Sequence, residues 1–170
     1  MKTINIHFIC IILLLSNYSF AQFAETDQEA KAAMTQLAFI VGDWSGEGWM
    51  MGRDREKRLF DQTENIRFKL DSAAILIEGV GSHKGEVVHN ALAIVTYDKA
   101  KQHYNFRSYL ANGRVGEYKA ELIDDKFYWY PRDDMRYIIE MNDQGQWFEV
   151  GEMNREGTWY QFFEMTLNKE

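Results

Sequence analysis

Cysteine and proline occur once each in the 170 residues, as Cys10 and Pro131, and histidine only four times. A lone cysteine excludes an intramolecular disulfide and a thiolate metal cluster. Basic residues are also short, with 19 Lys and Arg against 26 Asp and Glu. A chain this acidic repels phosphate backbones, and no basic stripe overrides the excess, so nucleic acid is not an expected partner. No serine stands in a Gly-x-Ser-x-Gly elbow. Those beyond the N-terminal segment are Ser45, Ser72, Ser82 and Ser108, and none has the strand-to-helix setting of a hydrolase nucleophile. Asp124-Asp125 and Asp133-Asp134 resemble paired carboxylates, but both fall where the chain turns and Asp bonds its own backbone. No catalytic residue is assigned.

Long apolar runs are scarce too. The one present, Phe8 to Leu15, follows Lys2 and precedes Ser19-Phe20-Ala21. A charged end, a short apolar core and a small-x-small site read as a secretory signal peptide over 1–21, cleaved after Ala21. The run is too short to cross a bilayer of roughly 30 Å as a helix. A periplasmic or extracellular mature chain is expected, beginning at Gln22, without a transmembrane segment. Cys10 and Lys2 leave with the peptide, which moves the net charge from −7 to about −8.

The rest reads as a helical lead-in over 22–36 and one barrel domain over 37–170. Between Asp27 and Ile40 there is neither Gly nor Pro, and Ala30, Met34, Leu37 and Ala38 recur at helical spacing. Thr26 or Asp27 is the candidate cap, so one short amphipathic helix is expected there. After Val41 the period changes to two. Turn signals recur at Asp98-Lys99, Ala111-Asn112-Gly113, Asp124-Asp125, Asp133-Asp134, Asp143-Gln144-Gly145 and Arg155-Glu156-Gly157. They separate segments rich in Tyr, Phe, Trp, Ile and Val, the pattern of antiparallel hairpins. About ten strands follow: 44–52, 57–70, 73–84, 88–97, 102–110, 114–123, 126–131, 135–142, 146–153 and 158–167. Strands without helices to cover them dispose of their edges by closing, so the expected fold is an all-β, ten-stranded up-and-down barrel. A β-sandwich is the alternative, but it favours longer Greek-key connections.

The stretch "FIVGDWSGEG" sets Trp44 among Gly42, Gly46 and Gly48. Their spacing is wrong for a phosphate loop and no helix follows; Gly79-Val-Gly81 lies inside a strand pattern. The four residues read as structural, with Trp44 plugging one barrel end against the helix and the glycines letting backbones approach.

"FIVGDWSGEGW" resembles the Gly-x-Trp-x-Gly-x-Gly entry of the lipocalin-like, nitrobindin-like (calycin-type) barrels. "HNALAIVTYDKAKQHYNFRSYLANGRVGEY" and "WFEVGEMNREGTWYQFFEMTL" are similar to DUF1579, a bacterial family of unknown function. The resemblance runs from about Leu37 to Leu167 and implies a small antiparallel barrel. Nitrobindins bind haem through a histidine near the C-terminal end of the barrel, and here the chain departs from them. Its last histidine is His103, so haem would need His83, His89 or His103 from other strands. No haem, other cofactor or metal is expected; three scattered imidazoles make a poor zinc set.

Polar residues within strands point to a ligand. His103, Asn105, Arg107 and Tyr109 share one face of their strand. Trp147, Glu149, Gly151 and Met153 share one face of another, and Trp159, Gln161, Phe163 and Met165 one face of the last. Arg107, Tyr109, Trp147, Glu149, Trp159 and Gln161 are therefore the expected lining of a common lumen. Within it Arg107 would take an acidic head group or pair with Glu149. The function expected is a secreted or periplasmic barrel that binds a small apolar or amphipathic molecule. A haem-binding nitrobindin-like protein, a cavity enzyme and an envelope protein-interaction module are the alternatives.

Overall fold

The computed structural model describes residues 25–170; the segment 1–21, expected to be a signal peptide, lies outside them. The chain enters through α1 (Gln28–Thr35) and a 3-10 turn (Ala38–Ile40). Ten strands follow: β1 (Gly42–Met51), β2 (Lys57–Lys69), β3 (Ala74–His83), β4 (Glu86–Asp98), β5 (His103–Leu110), β6 (Val115–Ile123), β7 (Lys126–Arg132), β8 (Met135–Met141), β9 (Trp147–Arg155) and β10 (Thr158–Lys169). Each pairs antiparallel with its neighbours in sequence, and β1 pairs with β10, so the sheet closes into an up-and-down barrel without an edge.

The turns work as their residues dictate. Asp98 accepts from the Ala100 and Lys101 amides at 3.1 Å each. Asp124 and Asp125 take φ of +50° and +61°, the left-handed pair of a tight hairpin. Pro131 lies in the irregular step where β7 and β8 lose register between Trp129 and Arg132, which is where a residue without an amide hydrogen is tolerated.

The helix is shorter than the sequence suggests. Asp27 caps it, accepting from the Glu29 and Ala30 amides, but α-geometry stops at Thr35 and the next turn is 3-10. Met34, Leu37 and Ile40 are all fully buried. A spacing of three eclipses side chains in a 3-10 turn and drifts in an α-helix, so tightening aims all three into the barrel end. Trp44, 2% exposed, packs in the same cluster and donates from Nε1 to the Ile40 carbonyl at 2.9 Å. Tyr104 on β5 donates to the Ala33 carbonyl at 2.8 Å. Helix, turn and Trp44 together close one end of the barrel.

Candidate functional site

Strand alternation decides which side chains reach the interior. On β2 the inward set is Phe60, Gln62, Glu64 and Ile66. Gln62 is opposed by Gly46 on β1 and Gly81 on β3; Glu64 by Trp44 and Gly79; Phe60 by Gly48. Gln62 therefore lies between two glycines, while Glu64 has the Trp44 indole on one side and Gly79 on the other. A β-carbon at Gly79 would fall 2.6 and 2.8 Å from the two Glu64 carboxyl oxygens, and one at Gly81 would fall 2.7 Å from Gln62 Oε1. The strand glycines are the floor on which a glutamate and a glutamine rest inside the barrel.

Glu64 Oε1 accepts from Gln62 Nε2 at 2.7 Å, while Oε2 is buried with no hydrogen-bond partner. Across the interior Glu149 of β9, 6% exposed, accepts from Trp147 Nε1 at 3.3 Å. No ion pair among the described residues includes either glutamate. Burial penalises their charged forms. It pushes the Glu64 carboxyl up to about 7 against the Gln62 amide, which favours the anion. It pushes Glu149 up to about 8, helped by the nearby Glu64 charge and opposed by the indoles of Trp147 and Trp129. The same burial raises the Tyr137 phenol. Two acids thus sit together in an apolar interior, each ready to hold or release a proton near neutrality.

Aromatic rings surround them. Phe106 stacks on Trp129 at 4.7 Å and Trp129 on Tyr137 at 4.3 Å. Tyr137 meets Phe163 at 5.4 Å, and Phe163 stacks on Phe60 at 5.7 Å. Trp44 meets Trp147 edge-on at 6.0 Å. The ladder runs through β5, β7, β8, β10 and β2 and occupies the barrel at mid-height. On the outer wall of β1–β3 a solvent-open groove of about 360 Å³ is lined among others by Asp43, Thr63, Asn65, Glu78, Val80 and Glu170, with Glu64 and Trp44 on the strands beneath it.

The structure divides the six side chains expected to share a lumen. Trp147 and Glu149 are inside. The lumen placement of Arg107, Tyr109, Trp159 and Gln161 is corrected: all four belong to the outer face. Arg107 is exposed and paired with Glu117 on β6 at 3.2 Å. It alternates with the inward Tyr104 and Phe106, and Tyr109 follows the Arg107 parity. On β10 a bulge breaks the pairing with β9 between Gln161 and Phe163. Phe163, Met165 and Leu167 point in, and the extra residue sends Gln161 and Trp159 out. Gln161 donates to Glu164 at 2.7 Å on the outer wall, where Trp49 also donates to Glu164 at 3.2 Å. Trp159 lies under the Arg136 guanidinium at 4.0 Å. Arg107 and Glu149 consequently form no pair.

Sequence reasoning missed Glu64 and Gln62. Their signal was the glycines: Gly46 and Gly48 on one neighbouring strand, Gly79 and Gly81 on the other.

His83 Nδ1 lies 2.7 Å from the Leu59 carbonyl, and His103 Nε2 lies 3.2 Å from Asn105 Oδ1 at the helix-covered end. His89 opposes Gly81 at the other end of the barrel. The three stand apart and none joins the ladder.

No protein-family model matches the chain, and no curated protein sequence does. Solved structures do. Rv2717c from M. tuberculosis matches with a TM-score of 0.58 at 9% identity, over 81% of this chain and 97% of that one. The S-type phycobiliprotein lyase CPES from Guillardia theta matches with a TM-score of 0.52 at 11% identity, over 86% of this chain and 98% of that one. At such identities the likeness is one of fold alone, and that fold is a closed, ten-stranded antiparallel β-barrel.

Proposed function

We propose that the protein is a secreted or periplasmic barrel, of the DUF1579 type, that binds a small apolar or amphipathic molecule in its interior. The carrying observation is the buried Glu64 Oε2, which has no partner inside an aromatic-lined barrel. An unsatisfied buried oxygen costs about 1–3 kcal/mol, and a fold retains one where a guest or water satisfies it. Trp147 and Glu149 are the two expected ligand residues that remain in this reading, joined by Glu64, Gln62, Trp129 and Tyr137. Resemblance to a phycobiliprotein lyase supports the barrel on which such a site is built.

Native mass spectrometry of the exported protein tests both halves. The mass should begin at Gln22 and should show a retained small molecule, or one regained from a panel of apolar amphiphiles. Trp44, Trp129 and Trp147 fluorescence should change on reloading. A mass retaining Met1 would remove the secretion claim; no adduct and unchanged fluorescence across the panel would remove the binding claim.

The ladder at mid-height favours one second reading, an envelope module whose outer wall binds another protein. On that reading the rings are core, and Trp fluorescence stays unchanged with every small molecule.

A further inference from the structure

We propose that the open rim of the barrel carries a pairing edge on β4, Glu86–His89, through which two copies of this chain join antiparallel about a two-fold axis. This interface does not depend on what the interior binds.

Closure removes the edges of a sheet only where neighbouring strands are equally long. β4 has 13 residues and β5 has 8. At the helix-covered end the two finish together, Asp98 against His103, so the whole difference falls at the open rim. Pairing with β5 begins at Ala91 against Leu110, whereas pairing with β3 continues to Glu86 against His83. The β5–β6 turn covers one residue more, because the Ala111 amide donates to the Asn90 carbonyl at 3.0 Å. Beyond it, Glu86–His89 has a strand on its β3 side and none on its β5 side, and all four residues are exposed. Such an edge leaves backbone N–H and C=O groups for water or for another strand.

The side chains set this edge apart from the other overhang of the rim. β2 also outruns β3, since its pairing with β3 starts at Asp61 while its pairing with β1 reaches Lys57. That overhang carries Lys57 and Arg58, and His83 Nδ1 caps the Leu59 carbonyl. Cations on an edge and an engaged carbonyl discourage pairing. The β4 overhang has neither lysine nor proline. It carries Val87 and Val88, each 62% exposed, and Val115, which opens β6 next to the short β5, is equally exposed. A second strand would cover this apolar surface. The register shift between Gly81 and Ser82 twists the edge and keeps it short. The contact is therefore small, and the dimer reversible and concentration-dependent.

The charges favour a second copy as the occupant. Glu86 stands at the outer end of the edge, and Arg114 lies in the turn beneath its inner end. Both are exposed, and neither has an ion pair among the described residues. Antiparallel pairing about a two-fold axis near Val87 and Val88 sets the valines against their copies. It also brings each Glu86 to the partner's Arg114, so the same attraction operates twice.

Sedimentation velocity on the full mature chain, from about 1 to about 500 μM, tests the interface. The sedimentation coefficient should rise from the monomer value toward the dimer value across that range. The Val87, Val88 and His89 amides should exchange with deuterium more slowly at the high concentration than at the low one. Val88→Lys, Glu86→Lys and Arg114→Glu should each weaken association by about tenfold or more. Their far-UV circular dichroism should stay unchanged, because all three positions are exposed. The Glu86→Lys/Arg114→Glu double variant should recover association, since it restores the ion pair with its signs exchanged. Ile94→Lys, exposed on the outer wall away from the rim, should leave association unaltered. A monomer at every concentration overturns the proposal. A dimer that survives Val88→Lys, or that leaves the three amides unprotected, lies elsewhere on the molecule and overturns it as well. A double variant that associates no better than either single one overturns the two-fold pairing.

Discussion

Gly46 and Gly79 flank the same strand, yet a methyl group added at each would have opposite consequences. At Gly46 it would strike the Thr166 carbonyl and approach Leu167 Cα to 2.9 Å, so it meets the backbone of β10, which cannot yield without breaking the β1–β10 pairing. At Gly79 it would meet only the end of the Glu64 side chain, which can swing away. Gly46→Ala should therefore lower the urea midpoint strongly, by about 1–3 kcal/mol for overpacking. Gly79→Ala should leave that midpoint within about 1 kcal/mol and instead weaken binding of any interior guest by displacing the carboxyl. A Gly79→Ala protein that binds normally would show that Glu64 does not need its glycine floor. Trp44 tests the closed end. Trp44→Ala should cost about 3–5 kcal/mol of stability, and Trp44→Phe less, about 1–3 kcal/mol, because a ring is kept while the Ile40 carbonyl loses its donor. Equal losses for the two would mean that the indole volume contributes nothing.

At the scale of elements, the strands were legible because turn chemistry punctuates them, and each expected segment lies within a few residues of its strand. Facing was not legible. Period two yields two faces without saying which is inside, and one extra residue exchanges them. The bulge near Phe162 did so on β10: Gln161 and Phe163, assigned to one face, stand on opposite sides of the wall. A second shift, between Gly81 and Ser82, lies at the end of β3 that leads into β4. On β5 no bulge intervened; Arg107 was misplaced because its face mixes polar and aromatic residues as freely as the inner one. Trp147 and Glu149 survived because β9 is regular where they stand. The helix was legible in its cap and illegible in its end, since only the shape of the barrel mouth asks for a spacing of three. Met34 and Ala32 separate the packing from the propensity: Met34→Ala should cost about 2–5 kcal/mol, whereas Ala32→Gln on the exposed side should change stability by about 0.5 kcal/mol or less. Thermal or urea unfolding of the two variants checks this, and similar small losses would mean that the helix does not seal the barrel.

For the whole molecule, the buried acids set how stability responds to pH. An unfolded glutamate ionises near its ordinary value of 4.5, while the folded protein keeps Glu64 protonated to about 7 and Glu149 to about 8. Between those limits the native state binds more protons than the unfolded state, so stability falls as pH rises. Each carboxyl contributes a slope of up to about 1.4 kcal/mol per pH unit, lower in practice because the pair titrates as a unit. Opposing terms act elsewhere. Asp27, Asp54, Asp71 and Asp98 are held below the usual carboxylate range, chiefly by the Lys99 ammonium, the Glu56 amide, the Lys31 ammonium and the Lys101 ammonium respectively. The stability they add is present above their unfolded value and is lost as pH falls below it. His89, lowered by desolvation, favours the folded state as pH rises through about 6.5, but solvent reaches it and screens the effect. The sum places maximum stability near pH 5 rather than at neutrality. Urea midpoints measured from pH 4 to 9 should peak there and decline by a few kcal/mol toward pH 8. In the Glu64→Gln/Glu149→Gln protein the decline should flatten, because neither side chain can ionise. A wild-type midpoint that rises from pH 5.5 to 8 would mean that the two glutamates are charged in the folded barrel.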